Sequence, residues 1–354
     1  MSSQSAFEVL GGRVTVPHSF VLENTYARPG DVVVVAGTLI EGIGNVYSDI
    51  DVYVVTDRLR ELHEVDTARH HRVVSVQREI LRNGMPDRQV LLVHTVVPGT
   101  DIKVDVEFRT FAEIEALLCR IEELYQRATT SLILLVPVLS EREESVIHRL
   151  LHGVPILHHE GYERLMQRLQ RFRYCYLQYR WKASDFSVLI DLLGTWQNGE
   201  LDRAVDIARE NLVTQMHAYV HLKGGTNSRR KWLLQQVDQY LMTPEDRQLR
   251  AAFLDHLYLR GTETDHGKQR YVHTSLDVVD EIFRLSEHAL RANPEYPSGE
   301  AALAVLRENH ERSDRDHHYA IMEFDYRAKV YGLRREPTRA WLTAFGRDAA
   351  GSAR

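Results

Sequence analysis

The chain has 354 residues, 44% hydrophobic and 27% charged, with a formal net charge of −6. That length suits two domains, or three small ones, each able to bury a core. The acidic balance argues against a nucleic-acid backbone as the main ligand, and two cysteines exclude a disulfide framework and suit a reducing compartment.

The opening "MSSQSAFEVLGG" lacks the basic and apolar regions of a signal peptide. The longest apolar run, "LILLVPVL" at 132–139, is far short of the ~18 residues a membrane span needs. It reads as a buried strand interrupted near its end by Pro137. The expectation is a cytoplasmic protein with no membrane partner.

The first 140 residues read as strand-rich. "DVVVVAG" (31–37) and "DIDVYVV" (49–55) are β-branched runs, followed by "RQVLLVHTVV" (88–97) and "DIKVDVEF" (101–108), joined by the turn residues "PGT". In the last of these, Lys103, Asp105 and Glu107 alternate with Val104, Val106 and Phe108, so the two sets point to opposite faces. A helix follows, with Thr110 as N-cap and Glu113 as its capping-box partner. Phe111, Ile114, Leu118, Ile121 and Tyr125 form its apolar stripe.

Beyond about residue 141 helical periodicity dominates. Helices are predicted near 141–152, 160–180, 184–197, 201–222, 228–241, 244–260, 275–292 and 316–333. The fold class is therefore α+β. An N-terminal domain (1–145) carries a mixed β-sheet flanked by helices, an α-helical bundle domain (146–340) follows, and 341–354 form a flexible tail.

The stretch "GTLIEGIGNVYSDIDVYVV" (37–55) carries the chemistry. Asp49 and Asp51 alternate with Ile50 and Val52, which puts both carboxylates on one face, about 6–7 Å apart. At ~5 Å and an effective dielectric of ~20, two such charges repel by about 3 kcal/mol. A divalent cation between them relieves that cost, and hard oxygen ligands with open positions suit Mg²⁺. Gly37 and Thr38 close the preceding strand, where backbone N–H groups and a hydroxyl can meet an anion. The second Asp-X-Asp, Asp314 and Asp316, lies in a polar run with no strand behind it and is given no role.

Gly-Ser/Thr, a gap of about ten residues, then Asp-X-Asp leading a strand resembles the signature of the polymerase-β-like nucleotidyltransferase superfamily. The likeness covers roughly residues 31–110. The family usually has Ser where Thr38 stands, and the hydroxyl survives. Its third carboxylate lies on a later strand. "KVDVEF" supplies Asp105 there, with Glu107 a second candidate on the same face, and the sequence leaves open which is the third ligand or base. The strand content and helical second half look similar to the small-molecule branch, such as the antibiotic-modifying nucleotidyltransferases.

The resemblance implies Asp49, Asp51, Asp105 and Glu107 as catalytic residues, the first three as metal ligands. It implies Mg²⁺ or Mn²⁺ as cofactor and ATP or another NTP as co-substrate. Ser48 joins Gly37 and Thr38 as a nucleotide-binding residue. An acceptor hydroxyl would attack the α-phosphate in line, and pyrophosphate would leave. A small-molecule acceptor is expected, with a protein or an RNA 3′ end as alternatives; a homodimer stays open.

In the helical half, "HLKGGTNSRRKWLLQQV" (221–237) gathers Lys223, Arg229, Arg230 and Lys231 around a helix start that Asn227 or Ser228 could cap. Lys223 and Lys231 are assigned as triphosphate contacts facing the carboxylates across a cleft, against the plainer reading of an ordinary helix connection. "RFRYCYLQYRWK" (171–182) interleaves basic and aromatic residues, but Phe172, Tyr176 and Tyr179 fall on one helical stripe and read as core. The i,i+4 pairs His148/His152 and His217/His221 would need a third ligand and a supporting shell to bind zinc, and are not read as metal sites. Cys119 and Cys175 read as small core residues.

Overall fold

The computed structural model describes residues 6–77, 89–130, 139–297 and 318–343, with residues 301, 304, 307 and 308 besides. The chain is α+β and divides into two compact units, Met1–Ile121 with Arg142–Gln170, and Glu122–Glu141 with Arg171–Arg354. The first unit is thus made of two segments. The expected boundary at 145/146 falls inside a helix of that unit, Glu141–His152. Among the described residues no helix is long and apolar enough to cross a membrane.

The first unit is built on a six-stranded sheet. Its strands are β3 (Val32–Ala36), β4 (Ile50–Thr56), β5 (Arg72–Gln77), β6 (Gln89–Val96), β7 (Lys103–Thr110) and β8 (Val154–Leu157). They lie in the order β5-β6-β7-β4-β3-β8. β4 and β7 run parallel, and every other neighbouring pair is antiparallel. A separate hairpin, β1 (Ala6–Val9) with β2 (Val14–Pro17), leads into helix α1 (His18–Thr25).

The alternation of "IDVYVV" and "KVDVEF" decides which face meets what. Ile50, Val52, Val54, Val104, Val106 and Phe108 point into a core shared with Val9, Val16 and Val21 of the hairpin and α1. The opposite face carries Asp51, Tyr53, Asp105 and Glu107. Helices α3 (Glu141–His152) and α4 (His159–Leu169) cover part of it: a Cβ at Gly153 would strike Val34 Cγ1, and one at Gly161 would meet Val32 Cγ2 at 2.8 Å. Helix α2 (Phe111–Thr130) begins with the expected capping box. Thr110 N donates to Glu113 Oε2 at 2.9 Å, and Glu113 N donates to Thr110 Oγ1 at 3.1 Å. Ile114, Leu118 and Ile121 of the expected stripe are buried.

The second unit is helical: α5 (Arg171–Ala183), α6 (Phe186–Gln197), α7 (Leu201–Leu222), α8 (Leu233–Tyr240), α9 (Pro244–Leu257), α10 (Asp265–Ala292) and a further helix His318–Val330. α7 is its axis, packed by α5, α6, α9 and α10 through Ala204, Ala208, Leu212, Met216 and Val220. Tyr176 and Tyr179 are buried, as core packing requires, and the buried Arg180 guanidinium lies 5.0 Å from the Tyr331 ring centre.

Several boundaries differ from the sequence expectation. The helix expected over 160–180 is two helices, broken at Gln170, whose φ of 42° no helix continues. α10 starts ten residues earlier than periodicity suggested. Thr264 caps it by accepting from Gly267 N, and Gly267 is there for contact: a Cβ would lie 2.0 Å from Gly261 O. Residues 230–232 form a 3-10 turn ahead of α8. Cys119 is exposed, contrary to its reading as core, while Cys175 is buried. The strand expected at 132–139 lies outside the described residues except for buried Leu139. Of the expected tail, 341–343 are helical and the rest lies outside the described residues.

Candidate active site

Two strands of the first unit bring the acidic residues together. Asp51 on β4 pairs in register with Asp105 on parallel β7, and Tyr53 pairs with Glu107 two residues on. Side chains in register on parallel neighbours share a face. Asp49 stands just ahead of β4, near enough that the charge of Asp105 bears on it. The structure therefore assembles all four carboxylates singled out in the sequence.

Gly37 lies against them. Its φ is +101°, and a Cβ there would sit 2.6 Å from Asp51 Oδ2 and 3.3 Å from Asp49 O. Glycine is required twice over, by backbone conformation and by contact. The turn that follows is closed by its own backbone: Gly37 O accepts from Ile40 N and Glu41 N, and Thr38 O accepts from Ile43 N and Gly44 N. An anion at this loop would meet Gly37 and Thr38 rather than residues 40–44. Ser48 Oγ accepts from Asn45 N at 3.0 Å, which ties the hydroxyl into the turn preceding Asp49.

Cationic and neutral partners surround the acids. Arg149, on α3, places Nε 3.1 Å from Asp51 Oδ2 and donates from Nη1 to Tyr53 Oη at 2.8 Å. His94, opposite Asp105 on β6, donates from Nδ1 to Asp105 Oδ1 at 2.6 Å. Glu107 is held by Arg109 of its own strand and by Arg142 of α3, the latter at 2.8 Å.

The charges do not balance at Asp51. Burial pushes its carboxyl up to about 6; Arg149 opposes this, but Asp105, Asp49 and Glu107 reinforce it. Asp49 is raised as well, first by burial and then by Asp105. Glu107 behaves oppositely. Burial disfavours its charge, yet Arg109, Arg142 and Arg149 outweigh burial and hold it below the ordinary carboxylate range. The pair Asp51 and Asp105, with Asp49, is thus short of positive charge, and Glu107 is not. The carboxylate oxygens of Asp49, Asp51 and Asp105 are hard donors with no thiolate among them, the donor chemistry that Mg²⁺ or Mn²⁺ takes, although one oxygen from each does not fall within 4.8 Å of the other two.

No protein-family model matches the chain, and no curated protein does. A solved structure described as a nucleotidyltransferase-like protein from Exiguobacterium sibiricum aligns with 89% of this chain and 87% of its own, at 13% identity and a TM-score of 0.39. A likeness at that score carries no argument, so the reading of the site rests on its own residues.

Lys223 and Lys231 belong to the second unit, and each has a partner there. Lys223 is the C-cap of α7, where the helix dipole favours a cation; its Nζ lies 3.0 Å from Asp246 Oδ2. Lys231 is exposed on the 3-10 turn, 5.1 Å from the Trp232 ring centre. Neither Asn227 nor Ser228 caps a helix. Asn227 Oδ1 accepts from Arg229 N, and the loop itself is buried: His217 Nε2 donates to Asn227 O at 2.9 Å, His221 Nδ1 donates to Gly225 O at 2.8 Å, and Gln236 Nε2 also donates to Asn227 O. The second histidine pair thus anchors this loop.

Arg149, Arg142, Arg109 and His94 were not identified from the sequence. His94 had a usable signal, a lone imidazole inside the apolar run "LLVHTVV". The arginines had none, since surface arginine is common and only the folded sheet shows which ones face the acids.

Proposed function

We propose that the chain is a metal-dependent nucleotidyltransferase, passing a nucleoside monophosphate from an NTP, by expectation ATP, to a hydroxyl of a small molecule and releasing pyrophosphate. The observation that carries this reading is the parallel register of Asp51 with Asp105, with Asp49 one residue ahead of β4 and Gly37 pressed against Asp51.

Asp49, Asp51 and Asp105 would hold a Mg²⁺ ion, which would supply neutralising charge for the triphosphate and lower the pKa of the acceptor hydroxyl. Gly37 and Thr38 admit the phosphates close to the strand end. His94 fixes the orientation of Asp105 through the 2.6 Å hydrogen bond, so that this carboxylate is aimed when the acceptor proton leaves. Arg149 partly neutralises Asp51 when no cation is present. Glu107, already engaged by arginines, acts as a positioning residue that holds Arg142 of α3 at β7. The net charge of −6 supports a small acceptor over RNA.

The test is incubation with each NTP and Mg²⁺ over a metabolite panel, measuring pyrophosphate, alongside melting curves with metal, nucleotide and both. The expected result is pyrophosphate release with at least one acceptor, and joint stabilisation exceeding the sum of the separate effects, since metal and phosphate complete one shell. Additive shifts and no pyrophosphate with any NTP would overturn the reading. Release only with added RNA or polypeptide would move the acceptor to that class.

A further inference from the structure

The first histidine pair, unlike the second, has acquired a third ligand. His148 and His152 lie one turn apart on α3, so their rings share a face, with centres 4.9 Å apart. Facing them is Glu41, from the turn between β3 and β4. Glu41 Oε1 lies 3.1 Å from His148 Nε2, and its Oε2 lies 4.0 Å from His152 Nδ1. The side chains of all three are largely withdrawn from solvent, with Glu41 8% exposed. One ligand atom from each falls within 4.8 Å of the other two.

We propose that Glu41, His148 and His152 form a binding site for a zinc-class transition-metal ion, separate from the carboxylate site, which ties the turn at 37–48 to helix α3. Two imidazole nitrogens and one carboxylate oxygen select Zn²⁺ or a similar ion over Mg²⁺, which prefers oxygen alone. The geometry is close to what the ion requires. With Zn–N of about 2.0–2.1 Å and Zn–O of about 2.0–2.2 Å, tetrahedral ligand atoms stand roughly 3.4 Å apart. The 3.1 Å and 4.0 Å separations bracket that value, so small side-chain rotations close the set. Water or a further ligand completes the fourth position.

The location gives the ion a purpose. Glu41 lies three residues beyond Thr38, and the same turn leads on to Asp49. Arg142 and Arg149 on α3 reach Glu107 and Asp51. A metal bridging Glu41 to α3 fixes the strand-end turn and the helix that supplies the cations to each other. The assignment of the ion does not depend on the transfer chemistry.

The experiment uses the full chain, stripped with chelator and reloaded with one equivalent of Zn²⁺, followed by gel filtration, metal analysis and melting. One zinc per chain and a raised melting temperature are expected, with no comparable effect of Mg²⁺ alone. Glu41→Gln and His152→Ala should each weaken zinc binding by about tenfold or more, whereas Asp51→Asn should retain it. Zinc affinity unchanged in both of the first two variants would overturn the proposal. Should either variant fold poorly, Co²⁺ added to the unaltered chain decides: a four-coordinate visible spectrum supports the site, and a spectrum of hexa-aquo Co²⁺ overturns it.

Discussion

Arg149 reaches Asp51 of β4 from helix α3, Nε to Oδ2 at 3.1 Å, and its guanidinium is the cation in direct contact with a carboxylate that three others crowd. Two substitutions should therefore act in opposite directions on the metal-free protein. Asp51→Asn removes a charge the site disfavours, so the melting temperature should hold or rise, while pyrophosphate release is abolished. Arg149→Met leaves Asp51 among like charges and should cost about 1–2 kcal/mol, discounted because the pair is partly open to water. If both variants destabilise alike, the contact is a simple ion pair and the crowding carries no energy.

Gly37 and Gly42 separate contact from backbone strain. Both have positive φ, but a Cβ at Gly42 meets nothing within 4 Å whereas one at Gly37 would strike Asp51. Gly42→Ala should cost about 1 kcal/mol and leave transfer near wild type. Gly37→Ala should cost more and reduce transfer at least a hundredfold, on the order of 3 kcal/mol of barrier. Equal activity in the two variants would dissociate Gly37 from the chemistry.

Asp105 and Glu107 share a face but differ in company, a histidine beside one and two arginines around the other. Asp105→Asn should abolish the joint stabilisation by Mg²⁺ and nucleotide. Glu107→Gln should keep most of it and lower turnover by about tenfold through a loosened Arg142. Calorimetry of both variants makes the comparison, and the reverse pattern would exchange their roles.

Lys223 neutralises Asp246, which also accepts from Tyr219 Oη at 2.5 Å and completes the capping box of α9. Lys223→Ala should lower the stability of the second unit by about 2 kcal/mol. Trp181, Trp196, Trp232 and Trp341 all lie in that unit, so tryptophan fluorescence follows its unfolding. An unchanged unfolding curve with ATP affinity down tenfold would instead assign this amine to the triphosphate.

His217 predicts how that unit responds to acid. Burial, reinforced by Lys182, lowers its pKa to about 4 against the hydrogen bond to Asn227 O, and the His221 ring stacks 5.0 Å away. An unfolded histidine protonates near 6.5. Between these values only the unfolded chain carries the proton. The contribution is therefore complete above pH 6.5 and is lost as pH falls towards 4, on the order of 3 kcal/mol in all. Urea unfolding of wild type and His217→Gln across that window checks it: the acid slope should flatten in the variant.

Legibility in the sequence tracked how local each feature is. The span of α3, that of α7 and the Thr110/Glu113 capping box were set by neighbours within a few residues, and they were read correctly. The acidic pair was visible because its spacing and flanking glycine are contiguous. Arg149, Arg142 and Glu41 were not, because their roles arise where α3 and the 37–48 turn meet the sheet. Short strands such as β1, β2 and β8 carry too few residues to show a period. The early start of α10 was not legible either, because the tight contact of Gly267 with Gly261 O exists only in the fold.

The two-segment make-up of the first unit has a consequence for synthesis on the ribosome. β3 is five β-branched or small residues, "VVVVA", all buried, and β8 covers its outer edge. Until residues 154–157 have emerged, that edge has no strand to pair with, and an unpaired valine edge is a template for another chain. A polypeptide ending near residue 145 would keep every acidic residue of the site, yet it would lose β8, α4 and Arg149 together. Such a fragment should associate with copies of itself, and addition of the short stretch through Gln170 should restore a monodisperse product.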